Sequence, residues 1–442
     1  MARSPASALS YDQAPPLHLP LRFFLTAPLF GILAGGLLLV RGGAVFASRW
    51  TGEALAATHC LTAGFMLQIM LGALVQFLPV GAGVVLPGQR WLVPLVHGAV
   101  TAGSLALVIA FLGAGQPAFL LAGATLALGV GAFALAGVMA LRRRFALVGI
   151  VGALHLTFPA LLATLVLGLW LVGGLAGWSN PPVFLATALH AGWGLFGWAG
   201  GLLLGVSLVV VPMFQLTPAY PGWVGRGLGP LLTLLLLGWS VARLGAGEGS
   251  GVQVLPWSLL LAAVAFGFCL VTLGLQRRSR RPWGDPTQRF WRLGLMGLAA
   301  AALLWGTGEA GRGVWGVGNG DRLALWIGVL VLFGGFIPVI CGMLYKIMPF
   351  LIWLDLQNRG RGRVIPPNMK RLLPEAGMMR HLRGHAAALV ALLAAPLAPD
   401  WLAPLAGVLV LLAFALLAAN LLGGLYRYRH ECRRIADCLD QG

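Results

Sequence analysis

The segment His59-Cys60-Leu61-Thr62-Ala63-Gly64-Phe65-Met66, which continues through Gly72 to Pro79, decides how the whole chain is interpreted. It is a long apolar run with a histidine near one end and, near the other, a glycine followed seven residues later by a proline. The same Gly-to-Pro step recurs at 205–212 and at 342–349, each time in an equally apolar segment. The three prolines are 133 and 137 residues apart, and so constant a period predicts three copies of one structural unit.

The composition is that of an integral membrane protein. The 442 residues are 59% apolar and only 10% charged, with a mean hydropathy of +0.88, whereas about a quarter of the residues of a soluble domain are charged. Apolar runs of about 20 residues, long enough to cross the hydrocarbon core as a helix, recur along the chain. Short alternating segments, the pattern of a membrane β-barrel, do not. The composition therefore predicts an all-α integral membrane protein.

Twelve transmembrane helices are predicted, and the three Gly-to-Pro steps fall on the second, sixth and tenth. The repeating unit is therefore four helices long, with units at about 21–141, 145–275 and 288–426 inside a single transmembrane domain, 21–426. Residues 1–20 and 427–442 form the tails, and 1–20 lack the apolar core of a signal peptide. The spans are roughly 22–40, 54–79, 91–113, 117–141, 145–172, 182–212, 225–244, 253–275, 288–308, 322–350, 385–400 and 402–426.

The distribution of Lys and Arg predicts the topology. With these spans, 24 of the 30 lie in the tails and alternate loops on one side and five on the other, so both termini are expected in the cytoplasm of a bacterial-type inner membrane. The net charge of +18 then reflects topology and lipid contact and does not indicate a nucleic-acid partner. The basic loop 358–384 is predicted to lie against anionic headgroups, with docking of another membrane or redox subunit as the alternative.

Four histidines fall well inside predicted spans: His59, His97, His155 and His190. A histidine at membrane depth is costly and typically faces the bundle interior, where it binds a cofactor or hydrogen-bonds across helices. His59 and His190 lie at similar depth in the outer halves of two repeated spans, so a shared metal or haem site is the hypothesis for them. His97 and His155, on the cytoplasmic side, are weaker candidates, and interhelical hydrogen bonding remains open for all four.

Two further sets of residues are candidates for chemistry. On an α-helix, Met66 and Met70 would follow His59 at i+7 and i+11 on one stripe, and thioethers with imidazole suit copper(I), although methionine more often fills a core. Gln76, Tyr345 and Lys346 lie near the cytoplasmic ends of their spans and are candidates for the start of a proton path. For Lys346 the favoured interpretation is instead that its ammonium reaches the headgroups.

Twelve helices in three four-helix units, with special helices at positions 2, 6 and 10, resemble subunit I of the haem-copper oxidases. In that family, helices 2, 6, 7 and 10 supply histidines to two haems and a copper. The resemblance implies that His59 stands at a haem ligand and His190 at a copper ligand. The spans 225–244 and 322–350 contain no histidine, however, and no tyrosine follows His190 closely, so oxygen reduction by the known mechanism is not expected.

A closer likeness is to the NnrS-type membrane proteins, relatives associated with nitrosative stress whose spans often begin with a histidine, small residues and glycine. His59 with Ala63-Gly64, and His190 with Ala191-Gly192, are similar to that pattern. The resemblance implies a b-type haem, with copper as a second metal, and a role in redox sensing, electron transfer or the response to nitric oxide.

Two alternatives stay open at this point. The first is a cofactor-free transporter or facilitator of twelve spans, and the second is a non-catalytic membrane subunit. All twelve acidic residues, Glu309 included, fall in loops, tails or span ends in this assignment. Because ion-coupled transporters place carboxylates within the membrane, their distribution disfavours the transporter.

Overall fold

The computed structural model describes residues 15–142, 144, 149–246, 251–281, 285–315, 320–360 and 363–440. Within these ranges all regular secondary structure is helical. Eleven of the helices found there are long and apolar enough to cross a membrane. The prediction of an α-helical membrane protein is therefore confirmed.

Twelve long helices follow one another in the described ranges, the eleven membrane candidates and one more polar helix near the C-terminal end. In chain order they are α1 (His18–Ala47), α2 (Gly52–Gly81), α3 (Gln89–Ala114), α4 (Gln116–Leu141), α5 (Gly149–Leu175), α6 (Val183–Gln215), α7 (Val224–Gly245), α8 (Gly251–Arg277), α9 (Pro286–Trp315), α10 (Asp321–Arg359), α11 (Glu375–Ala394) and α12 (Pro399–Asp440).

The eleventh helix requires a correction of the sequence interpretation. The span expected at 385–400 begins ten residues earlier, at Glu375, and ends at Ala394, so the last part of the predicted loop 358–384 is helical. Its first eleven residues contain two arginines and two histidines, which made this part resemble a polar loop. On the helix both arginines are exposed, while Met378, His381, His385, Ala388 and Leu392 form one buried stripe.

The two ends of the helical domain pack against each other, since α1 and α12 lie side by side. Glycines bring the two backbones together: a Cβ atom on Gly31 would clash with the Phe414 ring, and one on Gly42 would clash with Ala403. Small residues are what permit such close contact between membrane helices. The remaining long helices pack mostly against their neighbours in sequence.

Helices α2, α6 and α10 each contain a wide, π-helical segment: Cys60–Leu67, Trp193–Gly200 and Leu332–Phe336. Such segments form i→i+5 hydrogen bonds and are frequent at functional sites. Those of α2 and α6 begin 133 residues apart, the same interval as between Pro79 and Pro212. Shorter π-helical segments also occur in α3 and α7, at Ala110–Ala114 and Val224–Leu228.

The glycine that follows each of these three segments packs against the preceding long helix. A Cβ atom on Gly72 would lie 2.8 Å from Cβ of Phe23 in α1, and one on Gly342 would lie 3.1 Å from Cβ of Phe290 in α9. A Cβ atom on Gly205 would clash with Ala153 in α5. The same kind of contact is thus made by the helix pairs α1–α2, α5–α6 and α9–α10.

Candidate functional site

His59 of α2 and His190 of α6 lie next to each other. Their ring centres are 6.5 Å apart and the ring planes are inclined by only 23°. Both side chains are partly buried. The Phe111 ring of α3 lies 5.2 Å from that of His59. The structure therefore brings together the two histidines that the sequence selected first.

The hydrogen bonds of the two rings determine which nitrogen of each is free. Nδ1–H of His59 donates to the carbonyl oxygen of Leu55 at 2.8 Å, and Nδ1–H of His190 donates to that of Thr164 at 2.9 Å. A carbonyl oxygen only accepts, so each neutral ring carries its proton on Nδ1 and a lone pair on Nε2. Within the described residues neither Nε2 has a hydrogen-bond partner.

A glycine fixes the position of His190 from the side of α5. A Cβ atom on Gly168 would lie 2.9 Å from Cε1 of His190, so only a residue without a side chain lets the ring approach this helix. The Thr164 carbonyl, one turn earlier on α5, orients the same ring. Metal-binding histidines typically have the second nitrogen hydrogen-bonded in this way, which fixes the tautomer and the ring direction.

The donor set consists of two imidazoles. In the described part of the chain, His, Cys, Asp and Glu form no cluster of three or more that could hold a metal ion. Two rings whose centres are 6.5 Å apart are close enough to contribute to one site. Neutral imidazole nitrogens are ligands that haem iron and copper(I) both accept.

The stripe of His59, Met66 and Met70 expected on α2 requires regular α-helical spacing, and α2 is not a regular α-helix between these residues. The π-helical segment Cys60–Leu67 lies between His59 and Met70, and its wider turns rotate the following residues away from their α-helical positions. Met66 and Met70 are both buried. The i, i+7, i+11 pattern therefore gives no reason to place either sulfur beside His59.

Met70 instead lines a cavity between α2, α6 and α10. The cavity has a volume of about 110 Å³ and a largely apolar wall that includes Met213 and Met343. Gln76 is its main polar lining residue, and the Nε2 atom of this amide is buried without a hydrogen-bond partner. Apolar cavities with a few polar groups are common ligand sites, and one of this size suits only a small ligand.

His97 and His155 are each hydrogen-bonded outside this pair. The hydroxyl of Thr26 donates to the carbonyl of Arg22, so Nε2–H of His97 donates to Thr26 Oγ1 at 2.9 Å. Nε2–H of His155 donates to the carbonyl of Arg144 at 2.9 Å. Both contacts are of the hydrogen-bonding kind that the sequence left open as the alternative to metal binding.

The three residues of the predicted proton path have three different surroundings. Gln76 faces the cavity, and Tyr345 is hydrogen-bonded to His381. Lys346 Nζ lies 3.0 Å from a carboxylate oxygen of Asp285 and forms an ion pair instead of extending freely toward headgroups. Within the described part of the chain, no hydrogen bonds join these three side chains in one continuous path.

Sequence reasoning missed the buried His381 and His385 and the partly buried Asn420. Both histidines are 1% exposed. His381 was assigned to the predicted loop 358–384 because Arg380 and Arg383 lie close to it in the sequence. The available signal was the spacing of four residues between the two histidines, which places them on one face of a helix.

Glu309 also differs from the expectation that every carboxylate lies in a loop, a tail or at a span end. Helix α9 continues beyond the predicted end at 308, and Glu309 is only 7% exposed. Its carboxylate accepts a hydrogen bond from Ser258 at 3.3 Å and lies 3.5 Å from the Arg243 guanidinium. A buried charge is thus paired in this part of the bundle, as burial requires.

Comparison with protein-family models finds no match to this chain, and comparison with curated proteins likewise finds none.

Proposed function

We propose that this chain is a redox protein of the membrane in which His59 and His190 hold one transition-metal centre. Haem iron, of b type, is the first candidate for the metal and copper the second. The single observation behind the proposal is the pair of Nε2 lone pairs on neighbouring rings, each with its Nδ1–H bound to a carbonyl.

The tautomers explain why a metal suits this site. Two bare Nε2 atoms are two acceptors, and no donor from the described residues satisfies either of them. A Lewis acid is the ligand that complements two imidazole lone pairs. The carbonyls of Leu55 and Thr164 would raise the basicity of the rings and hold their orientation.

The wider architecture supports the resemblance to haem-copper oxidase subunit I and to NnrS-type proteins. The proposed organisation is three units of four helices, at about 21–141, 145–275 and 288–426. It is supported by recurring features at matching places in α2, α6 and α10, namely a π-helical segment, a glycine packed on the preceding helix and a later proline.

Electron transfer or redox sensing, including a response to nitric oxide, fits this site better than oxygen reduction. If haem binds, His59 and His190 would be the residues that hold its iron. The remaining histidines that oxidases place on helices 7 and 10 are missing from 224–245 and 321–359. The bound group would supply reversible electron storage, while the chain supplies two oriented imidazoles and an apolar surrounding.

The proposed location is a bacterial-type inner membrane with both termini in the cytoplasm. The basic segment 358–384 would then lie at the cytoplasmic face, where anionic lipid headgroups or another membrane subunit would contact it.

The test is the absorption spectrum of detergent-purified protein, oxidised and reduced, with iron and copper analysis of the same sample. We expect a Soret band and iron for haem, or copper without a Soret band, and loss of the metal in both His59→Ala and His190→Ala. His97→Ala is the matched control, because that ring bonds Thr26 and should leave the metal content unchanged. Unchanged metal in both His59→Ala and His190→Ala would refute the proposal.

A cofactor-free transporter or facilitator is the second candidate. The cavity between α2, α6 and α10 and the buried carboxylate of Glu309 favour it. Such a protein would be colourless and free of stoichiometric metal when purified from cells supplied with haem and copper.

A further inference from the structure

A second pair of histidines lies in the core of the bundle, away from the first. His381 and His385 follow each other by one turn on the buried face of α11. Their ring centres are 6.0 Å apart and the ring planes are perpendicular, at 90°. The Phe333 ring stacks on His385 at 4.1 Å, and the Phe290 ring lies 5.0 Å from His381. Apolar rings therefore enclose two polar side chains.

Hydrogen bonds at the two ends of this pair fix the direction of the protons. At one end the Asn420 amide donates to the Tyr345 hydroxyl oxygen at 2.7 Å, and that hydroxyl lies 2.8 Å from Nδ1 of His381. At the other end Nε2–H of His385 donates to the carbonyl oxygen of Phe333 at 2.9 Å. His385 therefore carries its proton on Nε2 and a lone pair on Nδ1.

The Tyr345 hydroxyl determines the tautomer of His381. Its oxygen already accepts a hydrogen from Asn420, and among the described residues the hydrogen-bonded acceptor for its own proton is Nδ1 of His381. The hydroxyl therefore donates to Nδ1, and His381 carries its proton on Nε2. Within the described residues, Nε2–H of His381 and Nδ1 of His385 have no hydrogen-bond partners.

A donor and an acceptor that no protein group satisfies carry a desolvation cost where they are buried. The two atoms are complementary and belong to neighbouring rings. A water molecule accepts from one group and donates to another, with hydrogen bonds of about 2.8–3.0 Å to each, which suits rings whose centres are 6.0 Å apart. Buried waters typically satisfy such polar groups.

We propose that a water molecule bridges Nε2–H of His381 and Nδ1 of His385. With it, one continuous chain of hydrogen bonds runs from the Asn420 amide through Tyr345, His381, the water and His385 to the carbonyl of Phe333. All donors in this chain point the same way, because the amide at one end donates and the carbonyl at the other accepts. A polar chain in which every group is satisfied holds both rings in one orientation.

The tautomers distinguish this pair from His59 and His190. The first pair presents two acceptors, which suit a metal, whereas His381 and His385 present a donor and an acceptor, which suit water. The water site is independent of the metal centre, so that either proposal can fail alone.

The first test is a cryo-electron microscopy map of the wild-type protein that resolves ordered water. We expect a peak at hydrogen-bonding distance from Nε2 of His381 and Nδ1 of His385. Tyr345→Phe removes the donor that fixes the His381 tautomer and should abolish the peak. Phe290→Leu removes a ring contact and no hydrogen bond, and should retain it. Absence of density in the wild type, or a metal at coordination distance, would overturn the proposal.

A second measurement does not depend on a variant that folds. Nitrogen NMR of labelled histidine rings distinguishes the two neutral tautomers, and we expect both His381 and His385 with the proton on Nε2. A proton on Nδ1 of His381 in the wild type would contradict the chain, because Nε2 would then offer no hydrogen to a water.

Discussion

The imidazole rings of His59 and His190 lie 6.5 Å apart and nearly parallel, and each donates its Nδ1 hydrogen to a backbone carbonyl. The two residues belong to helices that are distant in sequence, α2 and α6. Their shared geometry leaves two lone pairs without a donor in the described structure. The proposed metal site therefore depends on the helix contacts that hold these rings.

The contact between Gly168 and His190 gives the first prediction. Gly168→Val should displace the ring, because the added Cβ would lie 2.9 Å from Cε1 of His190. We expect lower occupancy of the proposed metal or a shifted reduction potential in protein that still folds, measured by metal analysis and redox titration. Gly36→Val, at a position on α1 with no atom within 4 Å of an added Cβ, is the control. Equal occupancy and potential in both variants would show that Gly168 does not position His190.

The packing of α6 on α5 gives the second prediction. Gly205→Val places a branched side chain where a Cβ already clashes with Ala153. Overpacking of this kind costs about 1–3 kcal/mol, so the thermal midpoint in detergent should fall. Gly267→Val on α8, where an added Cβ meets nothing within 4 Å, should change the midpoint less. Equal midpoints for the two variants would argue against close packing of α5 and α6.

The ion pair between Asp285 and Lys346 predicts a pH dependence of stability. Burial by itself would raise the pKa of Asp285, but hydrogen bonds from Thr287 and the charge of Lys346 outweigh it and hold the pKa below its usual value. Because the folded-state pKa is the lower one, the ionised carboxylate stabilises the fold at any pH above the unfolded-state pKa of about 3.9. This stabilisation is lost as the pH falls through the folded-state pKa of Asp285.

Asp285→Asn should therefore lower the free energy of unfolding at neutral pH by about 1–3 kcal/mol, since it weakens hydrogen bonds to a charged group. The difference from wild type should shrink in strongly acidic solution. Asp321→Asn, at an exposed position, is the control for loss of a carboxylate. A difference between wild type and Asp285→Asn that stays constant down to acidic pH would contradict the pairing.

The cavity amide gives a further prediction. Gln76 Nε2 is buried without a partner. Gln76→Leu therefore removes an unsatisfied donor and replaces the amide with an apolar side chain of similar size. We expect unchanged or higher thermal stability, because an unpaired buried polar group costs about 1–3 kcal/mol. A clear loss of stability would mean that the amide binds a group inside the cavity, and that result would direct attention to a ligand there.

The sequence predicted the long apolar helices well, for a physical reason. In α2 the expected span 54–79 corresponds to Gly52–Gly81, because a continuous apolar run is the main requirement for crossing a membrane. Helix α11 was harder because its first half is amphipathic. Its exposed arginines made the segment look like a polar loop, although the opposite face is a buried stripe that contains both His381 and His385.

The candidate site was predictable only in part. Similar depth in two repeated spans was enough to suggest that His59 and His190 share a site. The spacing of residues gives no sign of the π-helical segment after His59. The methionine stripe was therefore predicted from regular α-helical spacing, which this segment interrupts. The tautomers depend on carbonyls of Leu55 and Thr164, and Thr164 belongs to another helix whose position the sequence does not specify.

The most direct test of the central claim is X-ray absorption at the iron or copper edge of the purified wild-type protein, which counts the imidazoles bound to the metal. The account predicts two imidazole nitrogens at about 2.0 Å from a single metal, and loss of the metal or of one imidazole in His190→Ala. A metal without imidazole ligands, or a wild-type protein without stoichiometric iron or copper after expression in haem- and copper-replete cells, would contradict it.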